Sequence, residues 1–274
     1  MSITRLTKYL RQDRMPHVWC PGCGNGVIMK AFIDAVDKEE LDPNRVAVVS
    51  GIGCSSRVTG YLNFNTMHTL HGRAIAFASG VKLARPEFKV VVMGGDGDLL
   101  AIGGNHFIHV CRRNMDITII VFNNFIYGMT GGQYSPTTFE GMTASTAPYG
   151  NMESPFDAVK LALSSGATYV ARSSIYNYTQ MLQYIQKGII HKGASIIDIA
   201  TNCHTYFGRY NKMSEPVQML EYIKNSVVSK EKAKDMSSEE LEKKIITGEF
   251  IDVEKPTYND KYQTLKKRFT SAGE

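Results

Sequence analysis

One stretch of the sequence decides the fold: residues 89–124, KVVVMGGDGDLLAIGGNHFIHVCRRNMDITIIVFNN. It contains two apolar runs rich in β-branched residues, 90–93 and 117–122, and polar residues follow each run. Such runs are typical of buried strands in a parallel sheet. Asp96 follows the first run and Asn124 the second. Both side chains are therefore expected at the carboxyl edge of the sheet, where open α/β sheets bind ligands.

Asp96 and Asn124 carry the kind of oxygen atom that Mg²⁺ prefers. This ion takes about six hard oxygen ligands at roughly 2.1 Å, a few from protein and the rest from phosphate and water. Gly95 and Gly97, on either side of Asp96, let the backbone approach a diphosphate closely, so that N–H groups can point at it. The sequence therefore predicts a site for Mg²⁺ and a diphosphate.

Strands and helices alternate along most of the chain. Periodicity and turn residues predict strands at 46–49, 89–93, 117–122, 168–171 and 194–200. They predict helices at 27–36, 74–84, 101–113, 155–166 (with Ser154 as N-cap) and 178–191. Alternation of this kind implies right-handed βαβ units. We therefore predict an α/β fold with a doubly wound parallel sheet.

Two segments lie outside this alternation. Residues 127–152 are rich in Gly, Ser, Thr and Pro without a period, and a loop of this length is expected to be functional. Beyond about residue 215 the chain becomes charged. We predict a domain at 1–215 and a C-terminal helical arm at 216–274 that packs on this domain or on a partner. Within the arm, a helix is expected to open at Ser237, and a polar tail is expected after Gly248.

Composition narrows the class of protein. The 274 residues, 43% of them hydrophobic, are sufficient for one large α/β domain. The net charge of +5 arises from 31 basic and 26 acidic residues, which favours a mixed, solvated surface over a surface specialised for an acidic partner. No basic cluster interleaved with aromatic residues suggests nucleic-acid binding. Neither an apolar signal-peptide core nor an apolar run of about 18 residues is present, so no membrane contact and a cytoplasmic location are expected.

The five cysteines are expected to be ligands or free thiols in such a location. Cys20 and Cys23 form a CxxC pair, and Cys54 and Cys203 each follow a predicted strand. Four thiolates can hold a [4Fe-4S] cluster or a tetrahedral zinc ion. The CxxC pair can alternatively be a redox dithiol. Spacing alone leaves these three possibilities open. Cys111 lies among apolar neighbours and is expected to be a buried small hydrophobe.

Several motifs together resemble one enzyme family. Gly95-Asp96-Gly97 followed by Asn123-Asn124 is similar to the thiamine-diphosphate motif. The other motifs are WCPGCG at 19–24, GIGCSSR at 51–57, LHGR at 70–73, GGNH at 103–106 and YGMTGGQYSPTT at 127–138. This combination, spread over roughly residues 15–215, resembles the β subunit of 2-oxoacid:ferredoxin oxidoreductases. Within that family the 2-oxoglutarate enzymes are the most similar.

The resemblance implies a thiamine-diphosphate-binding fold of the diphosphate-side type and an oxidoreductase activity. The reaction would be the CoA-dependent oxidative decarboxylation of a 2-oxo acid, here 2-oxoglutarate to succinyl-CoA and CO₂, and it would be reversible. Electrons would pass through one [4Fe-4S] cluster to ferredoxin. Alternatives are pyruvate or another 2-oxo acid as substrate, a non-oxidative thiamine-dependent enzyme, and a non-catalytic zinc or iron-sulfur protein.

The resemblance also assigns residues to cofactors. The cluster ligands would be Cys20, Cys23, Cys54 and Cys203. Mg²⁺ would be bound by Asp96, Asn124 and the backbone carbonyl of Ile126. Thiamine diphosphate would be contacted by Ile52, Gly53, Cys54, Ser55, His71, Gly97, Asp98, Gly128 and Met129. The glutamate that activates thiamine is expected on an α subunit, so no catalytic residue is assigned within this chain.

Overall fold

The computed structural model describes residues 6–270 of the protein. An eight-stranded sheet forms its centre, and a small two-stranded sheet lies beside it. The strands are β1 (Val46–Ser50), β2 (Asn65–His68), β3 (Lys89–Gly95), β4 (Ile117–Asn123), β5 (Ile126–Tyr127), β6 (Gln133–Tyr134), β7 (Tyr169–Ser174), β8 (Ala194–Ala200), β9 (Val227–Ser229) and β10 (Ile245–Asp252). The central order is β2-β1-β3-β4-β8-β7-β10-β9, and β5 pairs with β6.

Helices connect most of these strands. The α-helices are α1 (Asn25–Lys38), α2 (Val58–Tyr61), α3 (Ala74–Ala84), α4 (Gly104–Arg113), α5 (Ala158–Ser164), α6 (Tyr178–Ile190), α7 (Pro216–Ser226), α8 (Lys230–Ala233), α9 (Ser238–Leu241) and α10 (Tyr258–Thr270). Two π-helical turns, Gly97–Ile102 and His204–Gly208, begin directly after Asp96 and Cys203. Irregular helical turns of this kind are frequent at functional sites.

Each face of the central sheet is covered by helices. Helices α1 and α6 cover one face, where Phe32 and Ile185 are fully buried against alternate sheet residues such as Val91. Helices α3, α4 and α5 cover the other face, where Phe107 packs in a core that includes Val92. Because side chains alternate along a strand, neighbouring residues of β3 supply both cores. The predicted doubly wound α/β fold is therefore confirmed.

The topology creates a crevice at the carboxyl edge of the sheet. The strands from β2 to β7 in the sheet order pair in parallel. After β1 the chain forms β2 on one side, then crosses to form β3 on the other side. Loops after β1 and β3 therefore leave the sheet at a switch point, which is where such sheets bind ligands.

The region after residue 215 differs from the prediction of a helical arm with a polar tail. It contains α7 to α10, but β10 pairs antiparallel with β7 and β9 extends the sheet further. Phe250 and Ile251 pack on the core formed with α3, α4 and α5, so the polar tail predicted after Gly248 is wrong for residues 249–252, which complete β10. The division of the chain at residue 215 itself stays a prediction.

Three smaller differences concern the starts of two helices and the presence of one strand. Helix α5 is capped by Asp157, whose carboxylate accepts bonds from two backbone N–H groups, and not by Ser154. The helix predicted from residue 101 begins at Gly104, after the π-helical turn. Strand β2, with the polar sequence NTMH, was not predicted. Ser237 does cap a helix as predicted, although α9 is only one turn long.

None of the helices between residues 6 and 270 combines the length and apolar character needed to cross a membrane.

Candidate cofactor and metal site

The loops after β1, β2, β3 and β4 line one cavity at the switch point. All residues predicted to bind the thiamine cofactor or Mg²⁺ line it. They are Ile52, Gly53, Cys54, Ser55, His71, Asp96, Gly97, Asp98, Asn124, Ile126, Gly128 and Met129. We call this space the cofactor cavity. Residues from five separate motifs meet here because parallel strands end at the same edge of the sheet.

Asp96 is fully buried beside this cavity. Its Oδ2 accepts hydrogen bonds from the hydroxyls of Ser135 at 2.5 Å and Thr137 at 2.6 Å. Burial raises the pKa of this carboxyl to about 6. In the described part of the chain, no Lys, Arg or His lies within ion-pair distance of it. A buried carboxylate whose partners are neutral hydroxyls and backbone N–H groups fits a bound cation, which would compensate its charge.

Asn124 and Ile126 lie on the tight turn after β4. Phe125, between them, has a left-handed backbone with φ of 63°. This conformation is costly for a bulky residue and is concentrated at functional sites. The turn brings the Asn124 side chain and the Ile126 backbone to the same cavity as Asp96. Asn123 is instead buried and donates a hydrogen bond to Asp198, so the two adjacent asparagines have different roles.

Asp98 connects three loops around the cavity. Its Oδ1 accepts hydrogen bonds from the backbone N–H of Gly72 at 2.6 Å and of Ile52 at 3.2 Å. A side chain at Gly51 would come within 2.2 Å of Asp98 Oδ2, which explains the glycine at that position. Burial raises the pKa of Asp98. Asp98 was predicted to contact the cofactor, and its bonds show in addition that it holds the surrounding loops together.

His71 is placed by its neighbours at the mouth of the cavity. Its Nδ1 lies 3.7 Å from Asp98 Oδ1, and its ring stacks on Tyr127 with centroids 6.0 Å apart. Tyr127 in turn donates a hydrogen bond to the carbonyl of Gly97 at 3.0 Å. Within residues 6–270, His71 Nδ1 is buried without a hydrogen-bond partner. Asp98 and Tyr127 therefore hold this imidazole at the wall of the cavity.

The four predicted cluster cysteines line a second cavity that adjoins the first. Cys20, Cys23, Cys54 and Cys203 all belong to it, and we call it the cysteine cavity. Cys54, Asn124 and Gly128 line both cavities. A side chain at Gly128 would lie 3.4 Å from Cys203 Sγ and 3.9 Å from Cys54 Sγ. Cys54 thus borders both cavities, and Cys203 is separated from the cofactor cavity by little more than a glycine.

The chemistry of the thiols fits a metal group. Burial raises the pKa of Cys23 to about 12, and it also raises the pKa values of Cys54 and Cys203. Buried thiols of this kind become thiolates when a metal supplies the positive charge. Among the described residues, no group of three or more His, Cys, Asp or Glu is close enough together to hold a metal ion in this structure. Four thiols that line one cavity nevertheless offer the donors of a [4Fe-4S] cluster or of a tetrahedral zinc ion.

The redox-dithiol alternative lacks its usual structural context. A short 3₁₀ turn at 12–14 lies upstream of Cys20, where a thioredoxin-like site would have a strand.

The fifth cysteine, Cys111, is completely buried in α4, and burial raises its pKa to about 12. The prediction that Cys111 is a small core residue is confirmed.

Comparison with known proteins identifies the family. Residues 51–199 match the family described as thiamine pyrophosphate enzyme, C-terminal TPP binding domain. The chain is 52% identical over 264 residues to the 2-oxoglutarate synthase subunit KorB of Methanocaldococcus jannaschii, with 96% of this chain and 98% of that protein covered. The chain belongs to the β subunits of the 2-oxoacid:ferredoxin oxidoreductases. It is therefore a subunit of an oxidoreductase with a thiamine-diphosphate-binding domain, as the motifs indicated.

Two further relatives extend the comparison. Subunit beta of 2-oxoacid:ferredoxin oxidoreductase 1 of Aeropyrum pernix is 46% identical over 188 residues, which cover 69% of this chain and 59% of that protein. A solved structure of 2-oxoglutarate:ferredoxin oxidoreductase from Magnetococcus marinus, with 2-oxoglutarate, coenzyme A and succinyl-CoA bound, superposes with a TM-score of 0.85. It is 34% identical, with 97% of this chain and 90% of that chain covered.

Sequence reasoning missed several residues that hold this β-subunit site together. Ser135 and Thr137 lie in the long loop and were noticed only as part of a motif. Asn202 bonds to the CxxC loop, and the indole Nε1 of Trp19 donates to the carbonyl of Cys54 at 2.5 Å. Trp19 precedes Cys20 and Asn202 precedes Cys203, so adjacency to a candidate ligand was the one available signal.

Proposed function

We propose that this chain is the β subunit of a 2-oxoglutarate:ferredoxin oxidoreductase that binds thiamine diphosphate, Mg²⁺ and one [4Fe-4S] cluster. The reaction is the reversible, CoA-dependent oxidative decarboxylation of 2-oxoglutarate to succinyl-CoA and CO₂, with ferredoxin as electron acceptor. One observation carries the proposal. The cofactor cavity and the cysteine cavity share Cys54, Asn124 and Gly128, so a cofactor in one lies next to a metal group in the other.

The residues of the cofactor cavity have distinct roles in this proposal. Asp96, Asn124 and the carbonyl of Ile126 hold Mg²⁺, with phosphate and water as the remaining ligands. Backbone groups of Gly97, Gly128 and Met129 lie against the diphosphate, and His71 donates a hydrogen bond to it. Ile52, Gly53 and Ser55 line the thiazolium side, and Asp98 holds their loop in place. Thiamine diphosphate, when bound, supplies the carbanion chemistry that decarboxylation requires.

The cysteine cavity provides the route for electrons. Cys20, Cys23, Cys54 and Cys203 are the proposed ligands of a [4Fe-4S] cluster. Cys54 belongs to the same loop as Ile52 and Gly53, so attachment of the cluster and contact with the cofactor depend on one short segment. Cys20 is exposed, which gives an acceptor access to this side of the site. Ferredoxin is the proposed acceptor, in keeping with the names of the relatives.

An α subunit is the proposed partner that completes the active site. Large apolar side chains are exposed near the mouth of the cofactor cavity: Leu70 is 68% exposed and Ile102 is 53% exposed, with Ile52 and Met129 also exposed. Exposed apolar side chains grouped in this way are typical of protein interfaces. A subunit seated there would exclude water and contribute groups to the aminopyrimidine half of the cofactor. A cytoplasmic location is part of the same proposal.

The substrate proposal is supported by the Methanocaldococcus and Magnetococcus relatives, both of which are named for 2-oxoglutarate. It is tested by co-expressing the chain with its α subunit and purifying the complex without oxygen. Broad absorption at roughly 400 nm and about four irons per chain, with one thiamine, are expected. Assays with 2-oxoglutarate, pyruvate, branched-chain and aryl 2-oxo acids then determine the substrate. Zinc in place of iron, or thiamine without iron, would overturn the proposal.

A further inference from the structure

The turn Ser135-Pro136-Thr137-Thr138 contacts both halves of the proposed Mg²⁺ site. Ser135 and Thr137 donate to Asp96 Oδ2 at 2.5 and 2.6 Å. Thr138 donates to the carbonyl of Phe125 at 2.6 Å, and Phe125 is the left-handed residue between Asn124 and Ile126. A single turn of the 127–152 loop is therefore attached to the end of β3 and to the turn after β4.

We propose, as an inference that rests on the proposed function, that Ser135 and Thr137 are positioning residues for Mg²⁺. Their hydroxyls occupy one carboxylate oxygen of Asp96 and fix the plane of the group. The other oxygen, Oδ1, is left to the metal. The Thr138 bond to Phe125 holds the Asn124 side at a fixed separation from Asp96. The turn thus sets the geometry of the metal site without contacting the metal.

The contact distances support a charged carboxylate as the acceptor. Hydroxyl-to-carboxylate bonds are shorter and about twice as strong as bonds between neutral groups. Thr137 also lies 2.9 Å from Asn123 Oδ1, but it has one proton and can donate to only one of the two oxygens. The shorter contact, to Asp96, is the one that an ionised metal ligand would receive. Ser135 and Thr137 are both buried.

A second layer of contacts holds Asn123, the residue that Thr137 packs against. Asn123 donates to Asp198 at 3.2 Å, and Asp198 receives the Nε–H of Arg172 at 2.7 Å. Arg172 is buried, and its second partner is Asp157, 2.5 Å away. This chain of contacts runs from Asp96 to β7 and the start of α5. The buried ion pairs fix Asn123 and the surroundings of Thr137 before any metal binds, which favours a role in preorganisation.

The test compares variants in the intact αβ complex. Thr137→Val and Ser135→Ala remove one hydroxyl each, and Thr137→Ser restores the hydroxyl at position 137. Thr118→Val is the matched control, because Thr118 is also a buried threonine, donates to the carbonyl of Gly188 at 2.8 Å and has no contact with Asp96. Calorimetry measures thiamine-diphosphate binding across a Mg²⁺ titration, and thermal unfolding of the metal-free complex measures stability.

Thr137→Val and Ser135→Ala are expected to weaken Mg²⁺ affinity by about 10- to 100-fold, the range found when a group that orients a metal ligand is removed. Thr137→Ser should regain most of the loss, and Thr118→Val should lower stability while Mg²⁺ affinity stays at the wild-type value. If the folded Thr137→Val and Ser135→Ala variants keep the wild-type Mg²⁺ affinity, the positioning role is overturned and the proposed function is not affected. An equal loss in Thr118→Val would also overturn it. A wild-type complex that binds no thiamine diphosphate would instead overturn the proposed function.

Discussion

Asn202 Oδ1 accepts a hydrogen bond from the backbone N–H of Gly24 at 2.7 Å. Its Nδ2 donates to the carbonyl of Gly22 at 2.9 Å, so one side chain holds the CxxC loop at two points. Asn202 is adjacent to Cys203 at the end of β8. The side chain therefore joins Cys20 and Cys23 to Cys203 although the two segments are far apart in the sequence.

Asn202→Ala is expected to release the CxxC loop and destabilise the cluster. Both hydrogen bonds are lost, and the buried N–H of Gly24 is left without a partner. Iron content after brief exposure to air should fall well below that of the wild-type complex. Asn259→Ala is the matched control, since Asn259 is a buried asparagine that donates to the carbonyl of Lys82, away from the cysteines. Equal iron retention in the two variants would contradict the role of Asn202.

Cys203→Ser is expected to lose or degrade the cluster, because it replaces a proposed thiolate ligand by a weaker oxygen ligand. Cys111→Ser should keep both colour and activity, since Cys111 is buried among apolar side chains on α4 and does not line the cysteine cavity. The visible spectrum and the iron content of anaerobically purified complexes distinguish the two variants. Loss of colour in both would show that the four ligands have been chosen wrongly.

Much of the site could be predicted because its signals are local. Asp96 and Asn124 each follow a buried β-branched run, and parallel strands with that pattern end at the same edge of the sheet. The strand at 194–200 placed Cys203 at this edge for the same reason. To place these three residues, it was enough to identify the apolar runs that form strands and to apply the rule that α/β sheets bind ligands at their carboxyl edge.

The remaining features depend on contacts that the sequence does not display. Asp98 accepts bonds from two backbone N–H groups that belong to other loops, so its bracing role has no local pattern. Ser135 and Thr137 lie in the 127–152 loop, where apolar residues recur with neither helical nor strand spacing. Strand β10 was missed because its pairing partner, β7, lies far back in the chain and charged segments flank it. Its apolar residues are too few to indicate a strand without that partner.

Asp96→Ala is expected to abolish Mg²⁺-dependent binding of thiamine diphosphate, because it removes the only charged protein ligand proposed for the metal. The fold should survive, since the substitution also removes a carboxylate whose burial without a cation is costly. Calorimetry at fixed Mg²⁺ concentration measures the affinity, and circular dichroism verifies folding. A folded variant with wild-type cofactor affinity would exclude Asp96 as the metal ligand.

Truncation after residue 215 is expected to prevent stable folding. It removes β10 from the antiparallel ladder with β7 and exposes apolar residues of the core formed with α3, α4 and α5. The net stability of a domain is only about 5–15 kcal/mol, so loss of a paired strand can exceed it. Soluble yield and thermal unfolding of the truncated and full chains provide the measurement. A truncated chain with wild-type unfolding behaviour would show that residues 216–274 are an independent arm.

The isolated chain is expected to be catalytically incomplete even when its cofactors are supplied. Thiamine activation requires a carboxylate beside the aminopyrimidine ring, and a glutamate on an α subunit is expected to provide it. No glutamate lines the cofactor cavity in the part of the chain that the structure describes. The cavity also opens toward exposed apolar residues, as expected for half of a site that a partner covers.

Turnover of 2-oxoglutarate with a low-potential acceptor should therefore be at background for the pure, cluster-replete chain and high for the co-expressed complex. Adding separately purified α subunit to the isolated chain should restore activity, and this separates an incomplete site from a damaged chain. Binding of thiamine diphosphate should be weaker for the isolated chain, because no partner then contacts the aminopyrimidine half of the cofactor. Turnover by the isolated chain at the rate of the complex would require an activating carboxylate within these 274 residues.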